Sequence, residues 1–320
     1  MPKIIIHTEK ATDIQTLIAL CPFGAIEYNG KELSISAACR MCRLCCKKSN
    51  GVCEFVEDDQ VKKIDKSQWQ GITVAAEMVG GQVHPVTKEL LGKARELAEK
   101  THQKVSCLVV GHGLESCIDE LNACGPDEIV LYDQPELEHF RVEPFCAAWE
   151  DYIHFAKPSV MLVGGTSVGR SLAPRVAARF HAGLTADCTM LDIQPNTDLD
   201  QIRPAYGGNI MAHIRTTNHR PQFATVRYKI FPMPEKTQPH AKIFRRSLNA
   251  AQLVSGIEFL NLHRKQNERG IEDADVIVVA GRGIKKPEDI NMIQELATLL
   301  GGELGSTRAM VETGCLDPKR

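Results

Sequence analysis

The sequence carries almost no net charge. Its 38 basic residues stand against 40 acidic ones, for a formal charge of -2, a balance that gives no general pull toward nucleic acid or a membrane surface. Long apolar runs are missing too, and no stretch could span a bilayer. The opening Met1-Pro2-Lys3-Ile4-Ile5-Ile6 runs straight into His7-Thr8-Glu9-Lys10, too short an apolar run for a secretory leader. The expected location is the cytoplasm. No glycine-rich loop is followed by a Walker lysine, which excludes a P-loop. No histidine–carboxylate constellation marks a general base, so a substrate site of the chain's own is not expected. With 320 residues, 43% of them hydrophobic, the length suits about two domains and a small appendage.

Cysteine, by contrast, is abundant. There are 12, and six of them lie between residues 21 and 53. In a reducing compartment that points to metal or redox chemistry before disulfides. The other six, Cys107, Cys117, Cys124, Cys146, Cys188 and Cys315, read as small buried hydrophobes.

Two-cluster ferredoxins repeat the run C-x2-C-x2-C-x3-C-P, and the fourth Cys of each run serves the other cluster. Cys21-Pro22 fits the end of a first run whose other ligands would fall at Ala11, Ile14 and Leu17. Cys39, Cys42 and Cys45 open a second run whose fourth ligand would fall at Ser49. The four lost positions together are the ligands of one cluster; Cys21, Cys39, Cys42 and Cys45 together are those of the other. One site is erased and one kept, which predicts a single four-iron, four-sulfur cluster on those four thiols. Structural zinc is the competing reading, since four thiolates suit it as well. Cys46 and Cys53 are read as non-ligands, with Cys53 the rival for the fourth place. Ile4, Ile6 and Ile35 suit short strands, and Ile14, Leu17, Ile18 and Leu20 a helix, of a small ferredoxin-like α+β module. Arg40, Arg43, Lys47 and Lys48 put positive charge beside the site, either as a solvated face or as a docking patch for an acidic redox partner.

Beyond a polar stretch at 57–70 the pattern alternates. Strands are expected at 72–79, 105–110, 128–131 and 160–163, and helices at 86–101, 114–123, 144–156 and 171–181. This implies a mostly parallel sheet covered on both faces. Ligands of such sheets sit at the strands' carboxyl ends. Gly111-His112-Gly113 and the glycine-rich Gly164-Gly165-Thr166-Ser167-Val168-Gly169-Arg170 fall there, and the second could hold an anion at a helix start. Strands follow at 185–193, 202–206, 210–215 and 222–226, then a linker at 231–236. A second α/β unit opens with the strand 276–280 and Gly281-Arg282-Gly283. A helix at 287–300 ends in Gly301-Gly302, and Ser306-Thr307-Arg308 follows a further short strand.

From about residue 72 onward these features resemble the alpha subunit of electron-transfer flavoproteins. The most specific stretch joins Gly281-Arg282-Gly283 to Ser306-Thr307-Arg308-Ala309-Met310-Val311-Glu312-Thr313-Gly314, where Thr307 and Glu312 stand for the family's Ser and Asp. Pro204-Ala205-Tyr206-Gly207-Gly208-Asn209 resembles the family's first domain. The resemblance implies FAD held at Gly281, Arg282, Gly283 and Thr307, with Arg308 against the flavin ring. A fixed cation there favours added negative charge. A ferredoxin-like extension resembles the electron-bifurcating branch. Its beta subunit carries a second flavin that exchanges hydride with NADH, and electrons divide between ferredoxin and a flavin dehydrogenase. The single-cluster extension looks most like subunits serving an FAD-linked lactate dehydrogenase; service to an acyl-CoA dehydrogenase is the alternative within the family. The family continues past Arg320, so only the first half of the FAD domain is expected here, and the chain alone is expected to hold FAD weakly.

The expected organisation is therefore α/β in three parts. A ferredoxin-like module with one cluster occupies 1–66. A parallel-sheet, nucleotide-binding-like α/β domain occupies 67–236. The first half of a Rossmann-like FAD domain occupies 237–320. The function expected is an electron-carrying subunit without a substrate pocket. A self-sufficient small-molecule oxidoreductase and a zinc-stabilised nucleotide-binding regulator are the other readings.

Overall fold

The computed structural model describes residues 3–30, 32–36, 38–56, 64–262, 271, 274–284, 286, 288–314 and 316. The chain forms two compact units, Met1–Glu258 and Phe259–Arg320.

The N-terminal module of the first unit contains β1 (Lys3–Ile6), α1 (Ile14–Ala19), β2 (Ile26–Tyr28), β3 (Leu33–Ile35), α2 (Leu44–Lys48) and β4 (Cys53–Val56). β1 pairs antiparallel with β4, and β2 with β3. Asp13 starts α1 by accepting the Gln15 and Thr16 amides at 3.0 and 3.2 Å, which satisfies two orphan donors of the first turn. The small core joins Ile4, Leu17, Ile26, Leu33, Cys45 and Cys53.

The larger part contains β5 (Ile72–Ala75), the hairpin β6 (Met78–Val79) and β7 (Gln82–Val83), α3 (Pro85–Thr101), β8 (Val105–Gly111), α4 (Glu115–Asn122), β9 (Glu128–Asp133), α5 (Val142–Ala156), β10 (Val160–Gly164) and α6 (Ser167–Arg179). It continues with β11 (Leu184–Cys188), β12 (Met190–Ile193), β13 (Leu199–Ala205), β14 (Ile210–Ile214), β15 (Gln222–Val226) and β16 (Lys242–Arg246). Seven strands in the order β11-β15-β10-β5-β8-β9-β16 make one sheet, parallel at every pairing. Side chains alternate across it. Cys107 and Val109 of β8 join Leu90, Leu91, Ala94 and Leu97 of α3, while Leu108 and Val110 join Trp149, Tyr152 and Ile153 of α5 on the opposite face. A strand buried on both faces needs apolar residues at consecutive positions, which is what β8 and β10 supply.

Cys107, Cys117, Cys146 and Cys188 are buried as expected, and Cys124 is half-buried. Burial pushes the Cys117 and Cys146 thiols up to about 11 and that of Cys188 to about 12, so all three stay protonated and inert. Cys315 lies outside the described residues.

Three elements differ from their expected extents. The strand expected at 72–79 ends at Ala75, and a separate hairpin, β6–β7, follows. The strand expected at 185–193 is two: β11 pairs with β15, then β12 leaves for the antiparallel sheet β12-β13-β14. Asp187, at φ +58°, lies inside β11, where the register against β15 shifts between Thr185 and Cys188. Beyond the segment 231–236, β16 returns to the first sheet as an edge strand on β9, so residues past 236 still build that sheet.

The second unit pairs β17 (Ile277–Ala280) with β18 (Glu303–Ser306) in parallel, with α7 (Asp289–Leu299) between them in sequence and α8 (Arg308–Glu312) after. Gly301, at φ +64°, ends α7, and the Gly302 amide returns to the Ala297 carbonyl at 2.8 Å, a glycine-dependent helix stop. No helix among the described residues is long and apolar enough to cross a membrane.

Candidate functional site

The proposed cluster thiols lie on two loops. The first follows α1. Cys21 is half-buried, its Sγ accepts the Ala25 amide at 3.3 Å, and Gly24 turns the chain at φ +61°. The second is residues 39–45. Here Met41 and Arg43 take left-handed φ values of 52° and 61°, winding the backbone between successive thiols. Cys39 Sγ accepts the Met41 amide at 3.5 Å. The Arg40 guanidinium lies 5.1 Å from the Phe23 ring centre and ties the two loops together. Amide hydrogen bonds to sulfur are a feature of iron–sulfur sites, where they tune potential.

The four thiols do not converge. Cys42 is exposed, Cys21 and Cys39 are half-buried and Cys45 is buried. Among the described residues, no three His, Cys, Asp or Glu side chains are gathered as a metal site. Cys45 lies instead beside Cys46 and Cys53. Burial, then the Cys45 thiol, push Cys46 up to about 11, and burial raises Cys53 against the opposing hydrogen bond from Ser49. The donor chemistry, the wound loop and the N–H···S bonds suit a cluster; the side-chain positions do not form one.

The erased ligand positions have become structure. Leu17 is buried in the module core, and Ala11 and Ile14 pack against it. Ser49 is buried, and its Oγ accepts the Cys53 amide at 2.8 Å.

At the carboxyl ends of β17 and β18 the second set of residues does come together. Ala280 pairs with Ser306, and the Thr307 amide donates to the Ala280 carbonyl at 2.9 Å. A Cβ on Gly281 would lie 3.8 Å from Thr307 Cγ2. Gly281, Arg282 and Gly283 thus run alongside Thr307 and Arg308. The Thr307 hydroxyl makes no capping bond. The Arg308 side chain is 91% exposed and held to Glu312 at 2.7 Å. This is an open strand-end shelf with one hydroxyl and two guanidinium groups, suited to an anionic nucleotide.

The two other glycine loops serve packing. A Cβ on Gly169 would sit 2.0 Å from the Gly164 carbonyl oxygen, and one on Gly164 would sit 2.7 Å from Val86 Cγ1. Thr166 caps α6 by accepting the Gly169 amide at 3.0 Å, and its hydroxyl donates to the Glu77 carboxylate. The anion at this helix start is therefore the protein's own Glu77, 89 residues away in sequence. Burial raises the Glu77 pKa, which Thr166 and His84 resist. At Gly111-His112-Gly113 the Asp133 carboxylate accepts the Gly113 and Leu114 amides at 2.9 and 2.8 Å.

Residues 72–248 match the electron transfer flavoprotein domain, and residues 270–320 match the electron transfer flavoprotein FAD-binding domain of the alpha type. The chain belongs to the electron transfer flavoprotein alpha subunit family. It is 46% identical over 318 residues to "Lactate dehydrogenase (NAD(+),ferredoxin) subunit LctC" of Acetobacterium woodii, covering 99% of this chain and 76% of that protein. It is 38% identical over 260 residues to the electron transfer flavoprotein subunit alpha of Megasphaera elsdenii, covering 79% of this chain and 77% of the relative. FixB of Azorhizobium caulinodans is 34% identical over 258 residues, 79% of this chain and 70% of the relative. The first match is long enough to take in the cysteine module. As a member of this family the chain is an electron-transfer flavoprotein subunit with an FAD-binding domain.

Two features escaped the sequence reading. One is the set of exposed apolar residues on the three-stranded sheet, Met190 of β12 and Ile210, Met211 and Ile214 of β14, with Tyr206 in the turn between β13 and β14. The other is the cluster of Lys66, Asp198 and Arg220, whose members are too far apart in sequence for any local signal.

Proposed function

We propose that this chain is the alpha subunit of a flavin-based electron-bifurcating or confurcating complex, passing single electrons between an NAD-linked beta subunit, ferredoxin and an FAD-linked lactate dehydrogenase. The observation that carries the reading is the 46% identity to the lactate dehydrogenase (NAD(+),ferredoxin) subunit across 99% of the chain. Bound FAD and a bound cluster would each supply one-electron chemistry. The chain's own residues have distinct tasks in this reading. Gly281, Arg282, Gly283 and Thr307 hold the FAD. Arg308 offers fixed positive charge toward the ring, and Cys21, Cys39, Cys42 and Cys45 hold one 4Fe–4S cluster. The organisation follows: a ferredoxin-like module to about residue 66, the electron transfer flavoprotein domain, and an FAD-binding domain. The exposed strip on β14, with Tyr206 82% exposed, is apolar surface of the kind a partner subunit covers, and the beta subunit is its occupant. The complex works in the cytoplasm.

The test is turnover by the purified complex without air. Lactate-dependent NAD reduction should require reduced ferredoxin in the same mixture, with the two inputs consumed in a fixed ratio. A complex that reduces NAD with lactate at the same rate whether or not ferredoxin is present would overturn the three-way reading.

A further inference from the structure

We propose that the face of the N-terminal module around Cys42 is the docking surface for an acidic one-electron carrier protein. This rests on the reading of that module as cluster-binding, and it adds where and by what chemistry the partner is recognised. Residues 39–48 contain four cations, Arg40, Arg43, Lys47 and Lys48, and no carboxylate. All four are exposed. Among the described residues no ion pair engages Arg40, Lys47 or Lys48, and several of the module's acids are occupied elsewhere. Glu9 and Glu54 both lie on His7, and Asp13 caps α1. Among the described residues the charge of Arg40, Lys47 and Lys48 is therefore not neutralised by an ion pair within the module.

The arginines are also held in place. Arg40 stacks over Phe23 and Arg43 over Phe55, with 3.6 Å from the Arg43 guanidinium to the Phe55 ring centre. Side chains ordered before the partner arrives lose less freedom on binding, and a guanidinium over a ring keeps its N–H edge for carboxylates. Between Arg40 and Arg43 in the chain lies Cys42, the one exposed thiol of the four proposed ligands. Met41 and Leu44, each 38% exposed, are near it in the chain, and Phe23, 41% exposed, lies under Arg40. An apolar centre with a charged rim is the anatomy of a protein interface, and small interfaces steered by opposite charge suit fast, transient redox encounters. A polyanion such as nucleic acid or an acidic membrane would use the charge but not the apolar centre at a proposed cluster ligand.

The experiment uses the assembled complex and a purified acidic ferredoxin as the probe. Stopped-flow rates of ferredoxin reduction are measured across ionic strength for wild type, Lys47→Glu/Lys48→Glu and Arg40→Glu, with iron and sulfide assayed in every preparation. Ferredoxin binding is titrated separately. Wild-type rate and affinity should fall as salt rises. The double reversal should lower the low-salt rate constant by about tenfold or more and flatten its salt dependence, with iron content unchanged. Arg40→Glu should act in the same direction, and a lysine-to-glutamine pair should fall between. Unchanged rate, affinity and salt slope in the reversed variants would overturn the docking surface, as would loss of binding to anionic vesicles or DNA with ferredoxin binding intact. A wild-type complex without iron would instead defeat the cluster reading, and the binding titration would still decide the surface.

Discussion

Replacing Asp198 by asparagine should cost this protein a large share of its stability. The Arg220 side chain is 0% exposed, with Nη2 2.6 Å from Asp198 Oδ1. Lys66 Nζ reaches both Asp198 oxygens, at 2.8 and 2.9 Å, from a side chain still 31% exposed. Asparagine removes the charge but not the burial, and Arg220 then keeps only neutral acceptors, the Thr216 and His219 carbonyls at 3.3 and 3.0 Å and the Thr197 hydroxyl at 3.4 Å. An uncompensated buried charge of this kind costs about 3–5 kcal/mol. Lys66→Met removes a cation already in contact with water and should cost about 1 kcal/mol or less. Replacing Asp198 and Arg220 together by Leu and Met should recover most of the loss. The pH dependence has a definite sign. Burial alone would raise the Asp198 carboxyl, but the hydrogen bonds and charges of Lys66 and Arg220 outweigh it and hold the group below its ordinary value. The folded state thus binds fewer protons here than the unfolded chain near pH 4. The stabilisation is complete above the ordinary carboxylate range and is lost as pH falls through the depressed folded value. The deficit of Asp198→Asn should be full at pH 7 and shrink in acid. Both tryptophans, Trp69 and Trp149, lie in this part of the chain, so urea unfolding followed by their fluorescence reads the right unit. A deficit below about 1 kcal/mol, or one that grows toward acid, would refute the reasoning.

Gly169→Ala should destabilise the same unit by about 3 kcal/mol or more, because its Cβ would sit 2.0 Å from a backbone oxygen that cannot rotate away; an unchanged urea midpoint would contradict this. In the assembled complex reconstituted with FAD, Arg308→Ala should move the midpoint potential of the alpha-subunit flavin negative, on the order of tens of millivolts, by spectroelectrochemical titration; an unmoved potential would place Arg308 away from the ring. Single alanine variants at Cys21, Cys39, Cys42 and Cys45 should each fail to take up iron and sulfide without air, while those at Cys46 and Cys53 load fully. Full loading in the Cys21 variant with loss in the Cys53 variant would make Cys53 the fourth ligand, and zinc without sulfide in wild type would exclude the cluster.

The parallel sheet was legible because its central strands are buried on both faces, and continuous runs such as Val105 to Val110 leave little else to be. Turn chemistry around Gly301 was legible for a local reason, a left-handed residue at a helix end. What stayed hidden was set at long range. No local pattern tells that Asp187 will be clamped by Arg170 and Arg227 at 2.9 and 2.8 Å, or that the chain will leave one sheet for another just past Cys188. The prolines of 231–236 read as a linker, yet the chain there packs on α3. A Cβ on Gly92 would meet Pro234 at 3.1 Å, and β16, with four of its five residues exposed, lacks the apolar run of a buried strand. The loop at 164–170 shows the limit most sharply. Glycines that admit a phosphate and glycines that admit a neighbouring backbone look alike in sequence, and the deciding group is Glu77.

The N-terminal module carries the argument furthest from its residues. A domain of this size buries too little apolar surface to be secure without a staple, and metal binding supplies folding free energy directly. The positions where the two-run template would place a second set of ligands are structural: Leu17 lies in the core, Ala11 and Ile14 pack on it, and Ser49 hydrogen-bonds the start of β4. The other four positions are cysteines. Cys42 remains in solvent where an apolar side chain would gain nothing, and Cys39 remains on a loop wound by two left-handed residues that packing alone does not require. Strain of that sort is retained where a ligand repays it, and on the proposed reading the thiols at Cys21, Cys39, Cys42 and Cys45 would be the donors.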